Sequence, residues 1–546
     1  MNNDDVSHPL DERSGFEGMV LRGRHVFVGG GIASLAGASF LLRDHGVRGP
    51  DIVILEAGSE IGGSLDAAPL GNDLYLTRGA RMFEAHYVCM LDLLGTIPSP
   101  DVAGKSLRDD LISFNEEHTV PYAFDKLVDG RILGRHSGGL STGLAVRILR
   151  MMLTPEGHLD GLRISQCLPR SYFDSEHWLK ASTIFAFQPW HSAAEFRRYM
   201  RRFLHFVMPP EARTPVLSTR YNQRDSIVAP LQDWLVRSGV EIRTASRATD
   251  ARFEEGVAGR RIVEILTEAG PLALGEEDRV YLTLGSMMDG AVVGAPDAPP
   301  PQATGPLPAW EFWERLSRRA PGFGRPSAFM ADRRQTEWQS FTITLHGGAL
   351  GVHLAGQRPS WARSSALLAL AGSPWRLSIL QVEQPHFRTQ TAGTEVFWGY
   401  ALRQDLPGRF CGVPMTEATG RQILDEIAGF LCLGGDARRR VFGDATVIGC
   451  RMPMITSQFL PRMKGDRPAV HPEGALNYAC IGQFVELPDD TVFTVEYSVR
   501  SAWHAVASLN PCGPKPPPVV HPDRDPGLIA RALRRVFLPA RPGGAA

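Results

Sequence analysis

The chain has 546 residues and a formal net charge of -1, with 43% hydrophobic and 21% charged residues. At roughly 100–200 residues per domain, this length predicts about three domains or one large composite fold. The balanced charge excludes a whole-molecule field that would attract nucleic acid, so no nucleic-acid partner is expected.

The first predicted elements form a βαβ unit. Residues 1–22 are polar and are expected to form a flexible arm. An apolar strand over residues 25–28 leads into Gly29-Gly30-Gly31, a helix follows from Ile32 to about His45, and a second apolar strand covers 51–56. This order of strand, glycine turn, helix and strand is typical of a parallel α/β sheet.

The rest of the chain is divided by its composition. Residues 140–215 are predicted to be mostly helical and 240–290 mostly strands, whereas Pro-rich stretches mark 289–310 and 511–518 as linkers. The full prediction is a flexible arm (1–22), a dinucleotide-binding Rossmann-like domain in three parts (23–135, 221–290 and 441–510), a mainly helical substrate or lid region (136–220), a mixed α+β substrate-binding domain (291–440), and a Pro-rich linker with a helical tail (511–546).

The glycine turn has the spacing of a dinucleotide-binding motif, Gly29-x-Gly31-x-x-Ser34. The first glycine permits a tight turn, the second lets a pyrophosphate approach the main chain, and the small Ser34 still allows close helix–strand packing. The phosphates would meet the helix N-terminus at Ile32 and Ala33, where unpaired N–H groups favour an anion.

The segment after the second strand favours FAD over NAD. Glu56 ends that strand, where a carboxylate should accept hydrogen bonds from the ribose hydroxyls. It begins an E-x-x-x-x-x-G-G segment that reaches Gly63 and Ser64. This segment resembles the one that wraps the diphosphate and ribityl chain in FAD-binding flavoproteins with two dinucleotide-binding domains. A second FAD contact is expected at Gly285-Ser286 and at Phe484.

The cysteines indicate neither a disulfide framework nor a metal site. Seven are scattered through the chain without a C-x-x-C pair, and no His/Cys cluster has zinc spacing. A reduced cytoplasmic protein without a bound metal is the simplest interpretation. The polar N-terminus is unlike a signal peptide, and no run of about 18 apolar residues predicts a spanning helix.

Six ordered blocks carry a resemblance to a known family. Residues 78–93 read R-G-A-R-M-F-E-A-H-Y-V-C-M-L-D-L. They are similar to the R-G-G-R-E-M-E-N-H-F block of the oleate hydratases, once called myosin-cross-reactive antigens. The resemblance runs from about residue 24 to about residue 510, and its other blocks are 187–199, 221–226, 384–387, 451–462 and 481–500.

The resemblance implies a hydratase that adds water to a cis double bond of an unsaturated free fatty acid, of the type that converts oleate to 10-hydroxystearate. It also implies FAD that undergoes no net redox change. In the family the Tyr of the Y-N-Q block is the proposed proton donor, which is Tyr221 here. We expect further cofactor contacts at Arg78, Gly79, Ala80 and Arg81.

Met82 is the main departure from the family. The water-activating Glu of the family falls at Met82, and a methionine cannot take a proton from water. Either main-chain carbonyls and the flavin edge orient the water, or Glu84 is the substitute base. A structural alternative makes Glu84 the partner of an arginine such as Arg78 or Arg81. If the position of Ala80 requires a positive φ, alanine costs about 1 kcal/mol there.

Recognition of the fatty-acid head group also departs from the family. Leu380 and Val382 replace the Thr and Asn that help to hold the carboxylate, whereas His386 is retained. The predicted substrate-binding residues are Gln188, Asn222 and His386. His386 either anchors the carboxylate as a donor or is a packed core histidine.

Two basic helices have open interpretations. The helix around residues 193–204 has an apolar stripe, and its Arg197, Arg198, Arg201 and Arg202 form either a solvated basic face or an entrance for anionic lipid. The helix at residues 528–537 is apolar on one face and basic beside it. It either makes a peripheral contact with an anionic membrane or docks against the protein body.

Two alternative functions stay open beside the hydratase. One is a redox flavoprotein acting on lipids, such as an isomerase or oxidase, and the other is a non-catalytic fatty-acid-binding protein. We expect a monomer or a homodimer.

Overall fold

A computed structural model describes residues 22–65, 67–80, 82–118, 123–134, 141–207, 216–358, 361 and 366–537. The predicted arm up to residue 21, Arg81, and residues 538–546 of the predicted tail lie outside these ranges. Two sheets dominate the described part of the chain, one parallel and one mainly antiparallel.

The strands vary from two to nine residues in length. In chain order they are β1 (His25–Val28), β2 (Ile52–Leu55), β3 (Ala67–Gly71), β4 (Leu74–Thr77), β5 (Phe83–Glu84), β6 (Ala123–Val128), β7 (Arg131–Leu133), β8 (Val216–Leu217), β9 (Glu241–Arg243), β10 (Ala248–Gly256), β11 (Gly259–Thr267), β12 (Gly270–Ala273), β13 (Arg279–Thr283), β14 (Val292–Val293), β15 (Trp338–His346), β16 (Ala366–Leu370), β17 (Leu377–Gln381), β18 (Thr394–Ala401), β19 (Thr446–Met452) and β20 (Tyr478–Ile481).

The helices are joined in places by short 3₁₀ turns. They are α1 (Ile32–His45), α2 (Val88–Thr96), α3 (Leu107–Glu117), α4 (Thr142–Leu153), α5 (Ile164–Cys167), α6 (Glu176–Phe185), α7 (Ala193–Arg202), α8 (Ala229–Arg237), α9 (Pro308–Arg319), α10 (Arg333–Thr336), α11 (Ala349–Gln357), α12 (Gly420–Phe430), α13 (Gly435–Phe442), α14 (Val495–Leu509) and α15 (Pro526–Phe537).

The parallel sheet has five strands in the order β20–β13–β1–β2–β9. All neighbouring strands run parallel, and Val26 lies opposite both Val53 and Val280. β1, β2 and β20 are buried along their whole length, as expected of a parallel sheet covered on both faces. β1 and α1 have the predicted bounds, and β2 is one residue shorter than predicted at each end. The predicted α/β class with a Rossmann-like sheet is therefore confirmed.

The larger sheet has eight strands in the order β14–β19–β15–β18–β17–β16–β6–β7 and is antiparallel except where β16 pairs with β6. Alternate residues of β18 face two hydrophobic cores. Trp398 belongs to the larger one, called here the main core, which includes buried residues of β1, α1 and α14. Phe397 belongs to a second core, which includes buried residues of α12. Three strands of this sheet, β6, β7 and β19, come from outside residues 291–440, the range predicted for the substrate-binding domain. The division of the chain into domains stays a prediction.

A short antiparallel pair joins the first part of the chain to the segment before Tyr221. In the pair of β5 and β8, Phe83 lies opposite Leu217 and Glu84 opposite Val216. Because the strands run antiparallel, the residues just before Phe83 lie beside those just after Leu217. Met82 and the chain leading to Tyr221 are thereby brought together.

The arginines of α7 are mostly buried, which overturns both predicted interpretations of that helix. Arg198 is 5% exposed and donates to Glu156 over 2.8 Å and to Glu486 over 2.6 Å. Arg202 is 3% exposed and donates to the carbonyls of His86 and Val520. Arg197 is buried as well, and Arg201 pairs with Asp523. These arginines tie the helix to the rest of the protein and form neither a solvated face nor a lipid entrance.

The C-terminal helix α15 lies against the protein body. It packs on α4 and on the turn Leu204–Val207, with Leu528 and Ala532 buried. Docking is thus observed for this helix, and peripheral membrane contact stays a prediction. Within the described ranges, no helix combines the length and the apolar character needed to cross a bilayer.

Candidate functional site

The turn between β1 and α1 holds two glycines for different reasons. Gly29 has a φ of +96°, which L side chains rarely adopt, and a Cβ there would lie 3.1 Å from Thr283. Gly31 has a φ of −77° and a ψ of 175°, which suit any residue, and a Cβ there meets nothing within 4 Å. Neither the backbone nor the packing requires glycine at Gly31. The open space in front of it is a cradle of the kind that a pyrophosphate needs.

The first turn of α1 offers donors to such a group. Gly31 is the N-cap, and no side chain caps the first N–H groups at Ile32 and Ala33. These N–H groups and the positive end of the helix dipole favour an anion. Ser34 is fully buried, as expected for close packing of the helix on the sheet, and its Oγ has no hydrogen-bond partner among the described residues.

The carboxylate of Glu56 lies beside the glycine turn. One oxygen accepts the N–H of Gly30 and the other the N–H of Gly58, each over 2.7 Å. Each carboxylate oxygen has two lone pairs, so one acceptor direction on each stays open. The carboxylate is therefore held in place and can still accept two hydroxyl groups, which fits the predicted ribose contact.

The segment that follows Glu56 folds onto the same turn. The N–H of Gly62 donates to the carbonyl of Gly30 over 2.9 Å, and a Cβ at Gly63 would lie 3.3 Å from the Cα of Gly31. Ser64 continues this segment in a short 3₁₀ turn. The two glycine turns thus form one cradle, and its residues fit the diphosphate of FAD.

The second predicted FAD contact lies at the ends of β13 and β20. Gly285 has a φ of +60°, and a Cβ there would lie within 3.3 Å of Phe484 and of Trp310. Ser286 accepts from the Trp310 indole through its carbonyl. The Phe484 side chain is 1% exposed and packs against Trp310 with ring centroids 4.7 Å apart. Its ring thus belongs to the aromatic core, and a flavin contact through the main chain of this segment stays a prediction.

The loop that contains Met82 is fastened to the larger sheet. The N–H and carbonyl of Thr77 both bond to the hydroxyl of Thr342 in β15, and the Thr77 hydroxyl donates to the carbonyl of Gly79. Ala80 and Met82 are half-buried against the main core. Among the described non-glycine residues with positive φ, Ala80 does not occur, so alanine causes no strain of that kind here.

Glu84 is buried and has two histidines as neighbours. It is 3% exposed, its Oε1 lies 3.1 Å from His205 Nε2, and its Oε2 lies 4.0 Å from His86 Nδ1. Among the described residues, no Arg or Lys lies within ion-pair distance of it. Sequence spacing could not reveal this cluster, because Glu84 and His205 are 121 residues apart.

Tyr221 begins a tightly bonded turn. Its N–H donates to Ser226 Oγ over 3.0 Å, and its carbonyl accepts from the Thr219 hydroxyl over 2.5 Å. The neighbouring Asn222 uses both its main-chain N–H and its side-chain amide to bond the carbonyl of His386. The same amide also donates to Asp225. Asn222 therefore holds the Tyr221 turn against the His386 segment, and this is the role that the geometry gives to it.

Arg388 contacts the Tyr221 ring, although the sequence did not single it out. Its guanidinium carbon lies 4.8 Å from the centre of the Tyr221 ring, an arrangement in which the cation attracts the ring face. The Arg388 side chain is held by Asp101, to which its Nη2 donates over 2.9 Å. The main-chain N–H of Arg388 donates to the Asp225 carboxylate, also over 2.9 Å. The one signal was its position directly after the Q-P-H-F block, two residues beyond His386.

The predicted head-group residues are buried. Burial lowers the pKa of His386 to about 3, so its ring is neutral at pH 7, and its Nε2 has no hydrogen-bond partner among the described residues. Leu380 and Val382 are each 4% exposed and belong to the main core. The amide nitrogen of Gln188 donates to the carbonyl of Phe187. Of this set, His386 alone combines burial with an unpaired polar atom.

The parallel sheet, the paired glycine turns and Glu56 together define a flavoprotein-type dinucleotide-binding fold. In agreement, cyclohexylamine oxidase from Brevibacterium oxydans IH-35A has a similar fold, with a TM-score of 0.55 at 12% identity over 89% of this chain and 98% of that one.

Comparison of sequences identifies the family. Residues 24–507 match the family described as MCRA. The chain is 32% identical over 501 residues to oleate hydratase from Streptococcus pyogenes serotype M49 (strain NZ131), covering 88% of this chain and 84% of that protein. It is 28% identical over 566 residues to linoleate hydratase from Lactiplantibacillus plantarum, covering 95% and 99%. The chain therefore belongs to the MCRA family, and the resemblance noted in its six blocks is confirmed.

Proposed function

We propose that this protein binds FAD and adds water to a cis double bond of an unsaturated free fatty acid such as oleate, without net electron transfer. Membership of the MCRA family and the two hydratases similar to this chain support the proposal. The structural observation that carries it is the position of Tyr221. Its ring lies beneath the Arg388 guanidinium, in a turn bonded to the His386 segment.

The first chemical step is a proton transfer from the Tyr221 hydroxyl to one carbon of the double bond. This step leaves a phenolate on Tyr221 and a positive charge on the neighbouring carbon. A phenol is a weak acid, so the step needs a group that stabilises the phenolate. Arg388 supplies a fixed positive charge over the ring, and Arg388 is in turn positioned by Asp101 and Asp225. Charge that is already in place costs no reorganisation when the phenolate forms.

In the second step, the oxygen of water bonds to the cationic carbon, and a proton of that water returns to the phenolate. Met82 offers no base, and Glu84 is enclosed with His205 and His86. We therefore assign the orientation of water first to main-chain carbonyls of the loop around Met82. That loop lies beside the Tyr221 segment because β5 pairs with β8. Glu84 is the second candidate for this role.

FAD would be held by the cradle of the two glycine turns, with Glu56 at the ribose and the N-terminus of α1 at the phosphates. When bound, it supplies a fixed surface and local charge rather than electrons. We propose that Arg78, Gly79, Ala80 and Arg81 line its other side, since this loop follows Thr77 and is fastened to the larger sheet.

The fatty acid would enter along apolar surface near Tyr221. A shallow surface cleft lies beside Arg220 and Ser226, with the apolar side chains of Leu107, Leu111 and Phe114 in its wall. Because His386 is neutral, it can bind a carboxylate only as an N–H donor through Nε2, not as an ion-pair partner. Cytoplasmic location, peripheral membrane contact and a monomeric or homodimeric state stay predictions.

The deciding experiment is mass spectrometry of oleate incubated with purified protein and FAD, without an electron acceptor. A product heavier by one water supports the proposal. Tyr221→Phe should retain FAD and oleate binding while turnover falls by about 10²–10⁴-fold, the usual contribution of a general acid. Tyr478→Phe, in β20 of the parallel sheet, is the matched control and should keep its turnover.

Two other results would replace the proposal. The missing carboxylate at Met82 favours, as a second candidate, a redox flavoprotein acting on lipids. Flavin bleaching with a dehydrogenated or isomerised product would establish that function. Tight oleate binding without turnover would establish a non-catalytic fatty-acid-binding protein. A Tyr221→Phe variant with the wild-type rate would remove Tyr221 from the mechanism.

A further inference from the structure

Three side chains with metal-ligating atoms meet beside β5. Glu84 ends β5, His86 lies two residues later, and His205 comes from the turn Leu204–Val207 after α7. One ligand atom from each residue lies within 4.8 Å of one ligand atom from both of the others. Glu84 and His205 each have side chains only 4% exposed, and His86 is 24% exposed. The cluster is therefore shielded on most sides and open to solvent at His86.

The polar atoms of this cluster are only partly used by the protein. The contact between His205 Nε2 and Glu84 Oε1 is 3.1 Å long. Glu84 Oε2, His86 Nδ1 and His205 Nδ1 are buried and have no hydrogen-bond partner among the described residues. A buried carboxylate oxygen or imidazole nitrogen without a partner costs free energy. Glu84 Oε2 and His86 Nδ1 lie 4.0 Å apart and are therefore both available as ligand atoms, and His205 Nε2 faces the other oxygen of the same carboxylate.

The spacing suits a metal ion. With ligand distances of about 2.0–2.2 Å, two ligand atoms of a tetrahedral zinc ion lie roughly 3.3–3.6 Å apart. His205 Nε2 lies 3.1 Å from one oxygen of the Glu84 carboxylate and His86 Nδ1 lies 4.0 Å from the other, so both separations are close to that range. Two imidazoles and a carboxylate are a ligand set that zinc and neighbouring transition metals prefer, whereas magnesium and calcium prefer oxygen alone.

The neighbouring Arg202 forms no ion pair with the Glu84 carboxylate. Arg202 directs its guanidinium to the carbonyls of His86 and Val520, over 3.0 Å in each case. Among the described ion pairs of Glu84, the partners are His86 and His205 only. The cluster thus brings one carboxylate and two imidazoles together, and the carboxylate forms no ion pair with a described Arg or Lys side chain.

We propose that Glu84, His86 and His205 form a binding site for a divalent transition-metal ion of the zinc type. The ion would join β5 to the turn Leu204–Val207, on which α15 packs. It would thereby fasten the chain that follows the Met82 loop to the support of the C-terminal helix. The sequence predicts no metal site, because Glu84 and His205 are 121 residues apart and no zinc spacing joins them.

The test uses tag-free full-length protein, since an affinity tag would add histidines. After incubation with zinc and dialysis against metal-free buffer, we expect about one zinc ion per chain by elemental mass spectrometry. Cobalt(II) should give the visible absorption bands of a four-coordinate site. Zinc should also raise the Tm of the chelator-treated protein in a concentration-dependent way, because it binds the folded state. A wild-type protein that fails to take up zinc and shows no cobalt bands would overturn the proposal.

Variants locate the site. Glu84→Gln and His205→Gln should lose the bound zinc, the cobalt bands and the zinc-dependent rise in Tm. His158→Gln changes an exposed histidine outside the cluster and should keep all three. If the two cluster variants retain zinc while His158→Gln loses it, the ion binds at the surface and the proposal is wrong. The wild-type measurements stay decisive if a cluster variant fails to fold.

Discussion

Alanine at Gly31 should weaken FAD binding while leaving the protein itself intact. At this position the φ of −77° and ψ of 175° are open to any residue, and a Cβ meets nothing within 4 Å. Glycine is a better N-cap than alanine by roughly 0.5–1 kcal/mol. Removing a glycine from the unfolded chain returns about 0.4–1 kcal/mol. The two effects nearly cancel, so the Tm of the protein without FAD should hardly change.

The added methyl group would occupy the space in which the pyrophosphate approaches the main chain. Displacing the phosphate from the N-terminus of α1 removes at least one charge-assisted hydrogen bond, worth about 1.5–3 kcal/mol. That loss corresponds to a roughly 10- to 150-fold weaker affinity for FAD. Titration of the protein with FAD, followed by calorimetry or by flavin fluorescence, measures the change directly.

Gly143→Ala is the matched control, because a Cβ at Gly143 also meets nothing within 4 Å and the residue lies in α4, far along the chain from the turn. It should bind FAD as the wild type does. If Gly31→Ala binds FAD with undiminished affinity, the pyrophosphate does not pack on this turn, and the assignment of the cradle is wrong.

Two predictions concern stability. Burial lowers the pKa of His25, His191 and His386 to about 3, so below about pH 6.5 the unfolded chain takes up protons that the folded chain does not. The free energy of unfolding should therefore fall as the pH decreases from about 6.5 to about 3, by up to about 1.4 kcal/mol per pH unit for each histidine; urea unfolding that is independent of pH in this range would contradict the reasoning. Glu195→Gln should cost about 3–5 kcal/mol in urea unfolding, because it removes the carboxylate that Arg462 and Arg467 share, and Glu486 remains near Arg462 but not in an ion pair with the buried Arg467. Glu268→Gln breaks an exposed pair and should cost less than about 1 kcal/mol, so equal losses would show that burial of the pair is unimportant.

The first βαβ unit could be predicted almost to the residue because its signals are local. The apolar runs of β1 and β2 are buried on both faces, and the glycine turn between them sets the start of α1. The cradle around Gly31 followed from the same motif, since the spacing of the glycines and of Glu56 already contains its geometry. The sequence is enough to predict a structural feature when one continuous segment of the chain builds the whole feature.

Features built from distant segments could not be predicted in this way. The basic side chains of α7 look like a solvated face in sequence, yet Arg198 is buried because Glu156 and Glu486 arrive from other parts of the chain. The approach of His205 to Glu84 depends on tertiary packing for the same reason. Charge patterns along one helix indicate which face is polar, but not which partners remove it from water.

The replacement of a carboxylate by Met82 is compatible with hydration because the two chemical steps make unequal demands. Protonating an isolated double bond creates a carbocation and is the difficult step, so it needs an acid placed against the carbon and a stabilised conjugate base. In the proposed mechanism, Tyr221 beneath Arg388 supplies this acid. A carbocation, once formed, reacts with neutral water, and the proton that this water loses can return to the phenolate. If this mechanism holds, loss of a dedicated base should reduce the rate less than loss of the Tyr221 hydroxyl, so Met82 is compatible with the proposed hydration as long as Tyr221 is kept.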